Sequence, residues 1–156
     1  MLKAVHAAPD NLKVGQTAPD FRISSLQRDY FSLTELRAEG QVLLYFWSTR
    51  CHVCDSLLTK INALQVRYQN RQMTVVGVNI GYESHAEVRK YLNNNNFGFL
   101  VLNDDTQKNE LREKYRIQAT PLFVLVSRRG KIEYLGHAVP DLEQFIPSLN
   151  LGAVNP

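Results

Sequence analysis

Cysteine is almost missing from this chain: Cys51 and Cys54 are the only two among 156 residues. So sparse a supply excludes a disulfide-stapled framework, and without a second pair there is no four-ligand set for a structural zinc ion. The histidines, His6, His52, His85 and His137, are scattered without metal-ligand spacing. No apolar run reaches the roughly 18 residues that a membrane-spanning helix needs. Neither sign of charge dominates, with 18 Lys and Arg against 15 Asp and Glu. The densest basic cluster, Arg128-Arg129-Gly130-Lys131, reads as a solvated hairpin turn, and no basic stripe points to nucleic acid. The apolar core of a secretory signal is missing too, since Met1-Leu2-Lys3 leads at once into Ala4-Val5-His6-Ala7-Ala8-Pro9. The chain is therefore expected to be cytoplasmic or to be the mature portion of an exported protein.

What remains is an ordinary globular composition, 44% hydrophobic and 21% charged. The length suits one domain that buries its core without staples. Residues 1–13 read as a flexible leader, 14–150 as the domain and 151–156 as a tail.

The stretch from Val42 to Tyr68 organises the rest. Val42-Leu-Leu-Tyr-Phe-Trp47 is a continuous apolar run, the signature of a strand buried on both faces. Cys51-His52-Val53-Cys54 follows after a short loop, and then Leu57, Ile61, Leu64 and Tyr68 recur at helical steps. Two thiols thus fall in the first turn of a helix, where unpaired N–H groups and the macrodipole stabilise a thiolate. The thiolate is the nucleophile of disulfide exchange. Cys51, at the start of the turn, is expected to attack, and Cys54, facing inward, to resolve the mixed disulfide. Arg50 and His52 place cations beside Cys51 and are expected to tune its pKa and potential. A purely structural disulfide across so short a loop would remove little unfolded-state entropy. A two-thiolate copper site is the other alternative.

Along the chain, Phe21 to Ser24 and Tyr30 to Leu33 read as a hairpin, and Thr34 to Ala38 as one helical turn. Met73 to Ile80 is a second buried strand. Ser84-x-x-Glu87 is a capping box opening a helix whose inward face is Ala86, Val88, Tyr91 and Leu92. Phe99 to Leu102 is a short strand, and Thr106 to Tyr115 a helix with Leu111 and Tyr115 inward. Leu122 to Val126 and Lys131 to Leu135 form a closing hairpin. A last helix opens at Asp141, with Leu142, Phe145, Ile146 and Leu149 as its apolar face. Alternating strands and helices predict an α/β fold: a mixed central sheet with helices on both faces.

Four motifs carry a family resemblance: Gly15-x-x-Ala18-Pro19-x-Phe21, Phe46-Trp47-x-x-x-Cys51-x-x-Cys54, Thr120-Pro121, and Gly130-Lys131 with Gly136 beyond. Together they resemble the thioredoxin-fold TlpA/ResA-like thiol–disulfide oxidoreductases, which are membrane-anchored or exported bacterial proteins. The helix and strand inserted at 81–105 are also typical of that group. The resemblance implies a cis bond before Pro121 and a substrate chain laid along the Thr120 backbone, as an added strand. Trp47 would be a platform beside the disulfide. It further implies a periplasmic location, protein thiol and disulfide substrates, and a membrane or soluble thiol donor of electrons. The working group would be the redox-active disulfide Cys51–Cys54, with no metal or organic cofactor, in a monomer.

The chain also departs from the family's pattern. Arg50 stands where most relatives have tryptophan, and Val53 where most have proline. Tyr45 and Leu57 occupy the two positions where relatives carry a carboxylate for the second thiol. Ala18-Pro19-x-Phe21 also opens peroxiredoxins, but their P-x-x-x-T-x-x-C pattern is missing: Thr49 lies only two residues before Cys51.

Overall fold

The computed structural model describes residues 11–106, 108 and 110–146; most of the expected leader, Leu149 and the tail lie outside them. Strands β1 (Arg22–Ser24) and β2 (Tyr30–Ser32) pair as an antiparallel hairpin. A single turn, α1 (Leu33–Leu36), follows under a Ser32 cap. The chain then runs through β3 (Gln41–Trp47), α2 (His52–Tyr68), β4 (Met73–Asn79), α3 (His85–Asn94) and β5 (Leu100–Asn103). It closes with α4 (Glu110–Lys114), β6 (Leu122–Val126) and β7 (Ile132–Gly136). The five-stranded sheet has the order β5-β4-β3-β6-β7, parallel across β3, β4 and β5 and antiparallel across β3, β6 and β7.

β3 is the axis of the fold because both of its faces are covered: every side chain from Val42 to Trp47 is fully buried. Strand geometry sends alternate residues to opposite faces. Val42, Leu44 and Phe46 join Val76, Val78, Val124, Leu111, Tyr115 and the N-terminal Phe21 in one core. Leu43, Tyr45 and Trp47 join α2, α3, Phe123 and Ile146 in the other. The inward stripe of α2 is Cys54, Leu58, Ile61 and Tyr68, with Leu57 and Leu64 only half-buried at its margin. Ile61 and Tyr68 thus face inward as expected, Leu58 takes the central place expected of Leu57, and Cys54 lies on the core side as expected.

Three local expectations are corrected. Ala86 is exposed, because it lies opposite Val88 on α3; the inward face is Val88, Tyr91 and Leu92. The helix expected from Thr106 starts only at Glu110. Asp104 Oδ1 accepts from the Thr106 hydroxyl (2.8 Å) and N–H (3.4 Å), a local turn that competes with helix there. Beyond Asp141 the described residues form one 3₁₀ turn, Leu142–Gln144, with Leu142 and Ile146 buried.

The opening motif and the closing hairpin meet. Gly15 and Ala18 donate their N–H groups to Ile132 O and Gly130 O, each at 2.8 Å, and Lys131 Nζ reaches Thr17 Oγ1 at 2.9 Å. Gly130 makes this turn with φ +89°, a left-handed conformation that a side chain would strain.

Candidate active site

Register builds the site before any side chain is considered. The β3–β6 ladder ends with Phe46 opposite Leu122, and the β3–β4 ladder with Trp47 opposite Asn79. The loop to Cys51, the Thr120-Pro121 segment and the loop after β4 therefore emerge from one end of the sheet. That end holds the carboxyl termini of the parallel strands, where α/β sheets bind and react.

Cys51 and Cys54 are joined in a disulfide, with Cα atoms 5.2 Å apart. Cys51 is the N-cap of α2: its extended backbone (φ −90°, ψ 97°) sets its sulfur to accept the Cys54 N–H at 3.2 Å. A side-chain acceptor at the N-cap satisfies one of the helix's orphan donors, and here that acceptor is the reactive sulfur. Cys51 is 8% exposed and Cys54 1%. Both residues are buried, Cys51 the less completely of the two.

The remaining candidates separate by position. Thr120–Pro121 is a cis peptide bond at this edge, with Pro121 buried and Thr120 half-buried. The Pro121 carbonyl accepts from His137 Nδ1 at 2.7 Å, which ties this exposed loop residue to the segment. His52 and Arg50 are exposed. Glu87 is held below the ordinary carboxylate range, first by the Ser84 backbone and side chain and further by the Arg50 cation. Arg50 thus lies near enough to the start of α3 for its charge to act there. Trp47 has no exposed surface at all, packing on Tyr91 and Phe97 at ring distances of 5.4 and 4.7 Å. It packs beneath the site and presents no surface to solvent.

Tyr45 stacks on Phe123 at 5.2 Å in the core under Cys54, and its hydroxyl has no hydrogen-bond partner among the described residues. Burial, reinforced by Tyr91 and Asp55, pushes its ionisation far up, so it remains a neutral phenol and is no base for Cys54. Asp55, which is exposed, accepts instead from the Tyr91 hydroxyl. Tyr45→Phe should therefore leave exchange within about twofold of wild type. It should hold or raise stability by up to about 1–2 kcal/mol, because a desolvated hydroxyl without a partner is removed. Parallel urea unfolding and insulin-reduction assays would check this, and a large loss of exchange would make the hydroxyl part of the proton chemistry.

The structure adds one residue that pattern reading passed over. Glu83, after β4, is buried and accepts hydrogen bonds from Thr49 and Asn79. The only sequence signal was its place in a loop at the carboxyl end of a parallel strand. His85 bridges elements: Nε2 lies 3.1 Å from Ser24 Oγ, and Nδ1 lies 3.0 Å from Asn103 Nδ2 and 3.4 Å from Asp105 Oδ2. Among the described residues no three His, Cys, Asp or Glu side chains cluster as a metal site, and no helix is long and apolar enough to cross a membrane.

Known proteins share this arrangement. The AhpC/TSA family profile matches residues 14–135. The thiol–disulfide oxidoreductase ResA of Geobacillus thermodenitrificans is 31% identical over 120 residues, covering 77% of this chain and 67% of that one. A thioredoxin-like protein of Haemophilus influenzae is 37% identical over 112 residues, 71% of this chain and 62% of that one. The chain thus spans about two thirds of the length of these relatives. Among solved structures, the thioredoxin domain of a thiol–disulfide oxidoreductase from Bacteroides vulgatus superposes with a TM-score of 0.78 at 20% identity, covering 87% of this chain and 99% of that one. A thiol:disulfide interchange protein from a Bacteroides species gives 0.75 at 23%, covering 90% and 95%. These likenesses establish the thioredoxin fold.

Proposed function

The chain belongs to the AhpC/TSA family, among the thioredoxin-like thiol–disulfide oxidoreductases related to ResA, and from that membership we propose that it exchanges disulfides with protein substrates as a reductase of the cell envelope. The observation that carries the reading is Cys51 Sγ at the N-cap of α2, accepting the Cys54 N–H at 3.2 Å. The same N–H that the sulfur accepts in the disulfide would stabilise the Cys51 thiolate after reduction.

The chemistry balances on the two sulfurs. The Cys51 thiolate attacks one sulfur of a substrate disulfide, forming a mixed disulfide and releasing the other substrate sulfur as a thiolate that takes up a proton. The Cys54 thiol then gives its proton to water or to the departing thiolate and attacks Cys51 Sγ. The second substrate thiol leaves, and Cys51–Cys54 is closed. Two electrons and two protons pass to the substrate, and a thiol donor, membrane-bound or soluble, returns them. An extended substrate segment would pair along Thr120 beside Pro121, adding a strand at the reactive edge. Arg50 and His52, exposed at the mouth of the site, would bias the potential through the charge they place near Cys51. The working unit is proposed to be a monomer of the 14–150 domain.

Equilibration of the Cys51–Cys54 pair against glutathione tests the direction of electron flow. A reductase should poise near the potential of thioredoxin, about −270 mV. A value about 100 mV or more higher would mark an oxidant or isomerase and overturn the reductase assignment, leaving disulfide exchange itself intact.

A further inference from the structure

The loop that delivers Cys51 is held by a carboxylate from outside the active-site helix. Glu83 is only 4% exposed. Its Oε1 accepts the Thr49 N–H at 3.0 Å and an Asn79 Nδ2 proton at 3.2 Å, and its Oε2 accepts the Thr49 hydroxyl. No lysine, arginine or histidine among the described residues pairs with it. Burying an acid without a cation is costly unless donors surround it. Two of the three donors come from one residue, Thr49, inside the turn that the Cys51 N–H closes on Ser48 O at 3.2 Å. The carboxylate is itself anchored. Asn103 Nδ2 donates to the Glu83 carbonyl at 2.8 Å, and Asn79 Oδ1 accepts the Gly81 N–H at 2.8 Å. Gly81 makes the room: a Cβ there would stand 2.4 Å from Glu83 Oε1 and 2.9 Å from Ser48 Cβ.

We propose that Glu83 is a positioning residue for disulfide exchange. It fixes the Ser48–Cys51 turn through Thr49, so that Cys51 Sγ meets an incoming sulfur in a reactive line. The inference rests on the exchange reading above. Misplacing a reacting atom by about 1 Å can cost on the order of a hundredfold in rate, and this turn is the last link before the sulfur.

The test uses the full chain and measures reduction of Cys51–Cys54 by dithiothreitol, then turnover on insulin. Both rates are scaled to the fraction folded by circular dichroism. Glu83→Ala should slow both by about tenfold or more. Glu83→Gln should stay within about threefold of wild type, since its amide oxygen still accepts the Thr49 N–H and its amide nitrogen can donate to Thr49 Oγ1. Gly81→Ala, which displaces the carboxylate, should behave like Glu83→Ala, and Thr49→Val should fall between. A carboxylate serving only stability would lower the urea midpoint without changing the rate per folded molecule. That result overturns the proposal, as does a Gln variant as slow as the Ala variant. If Glu83→Ala does not fold, unchanged rates in folded Thr49→Val and Gly81→Ala overturn it equally. Wild-type protein without exchange would sink the underlying reading instead, so the two failures are distinct.

Discussion

Cys51→Ser should abolish disulfide exchange, lowering insulin reduction by at least about three orders of magnitude, the scale on which loss of a covalent nucleophile is felt. Cys54→Ser should fail differently. Cys51 retains its place at the N-cap of α2, where the backbone N–H of residue 54 still points at its sulfur. It should therefore attack a substrate disulfide at a rate near wild type and stop at the mixed disulfide, because the enclosed resolving sulfur is gone. A stoichiometric covalent adduct on non-reducing gels, released by dithiothreitol, is the expected signature. Unfolding does not explain either result. A disulfide closing so short a loop contributes only about 2 kcal/mol by loop-closure entropy, less than the stability of an ordinary domain. Adduct formation by Cys51→Ser and none by Cys54→Ser would reverse the two roles.

That asymmetry was legible in the sequence because each of its causes is local. A strand buried on both faces must be a continuous apolar run, and Val42–Trp47 is one. An apolar stripe beginning just after Cys51 fixes the start of α2 and with it the N-cap. The Ser84–Glu87 capping box was equally visible, and both of its hydrogen bonds form. What escaped depended on contacts remote in sequence or on competition within a few residues. The Thr49–Glu83 contact spans 34 positions, so nothing near either residue announces it. The late start of α4 reflects Asp104 capturing the Thr106 N–H, a contest between side chain and helix that apolar periodicity does not record. Tyr45 and Leu57 were read as departures at carboxylate positions. The structure shows the consequence for Tyr45: a buried phenol without a partner, stacked on Phe123, which fills space and titrates nothing near neutrality.

Trp47→Ala should cost about 3–5 kcal/mol, the range for deleting a large buried aromatic, and so remove a large share of a typical domain's 5–15 kcal/mol. The cost falls on a joint between the active-site strand and the inserted segment. The indole packs on Tyr91 of α3 and on Phe97, Phe97 packs on Phe99 at 4.9 Å, and Phe99 meets Tyr45 edge-on at 6.2 Å. Tyr91 in turn donates to Asp55 in the first turn of α2. Removing the indole leaves a cavity that helix and strand do not close, since β3 is fixed on both sides by β4 and β6. Trp47→Phe keeps a ring against Tyr91 and Phe97 and deletes Nε1, which has no partner among the described residues. Its cost should be at most about 1.5 kcal/mol, as for a substitution that stays hydrophobic and loses modest volume. Urea unfolding of the three proteins checks the energies, and insulin reduction well below each midpoint checks function. Trp47 has no exposed surface, so the Phe variant should keep near-wild-type exchange while the Ala variant loses activity with the packing beneath Cys51. A Trp47→Ala cost below about 1 kcal/mol would mean that the aromatic cluster does not hold the insertion against the active-site helix. A folded, stable Phe variant without exchange would mean that the indole acts on the chemistry itself.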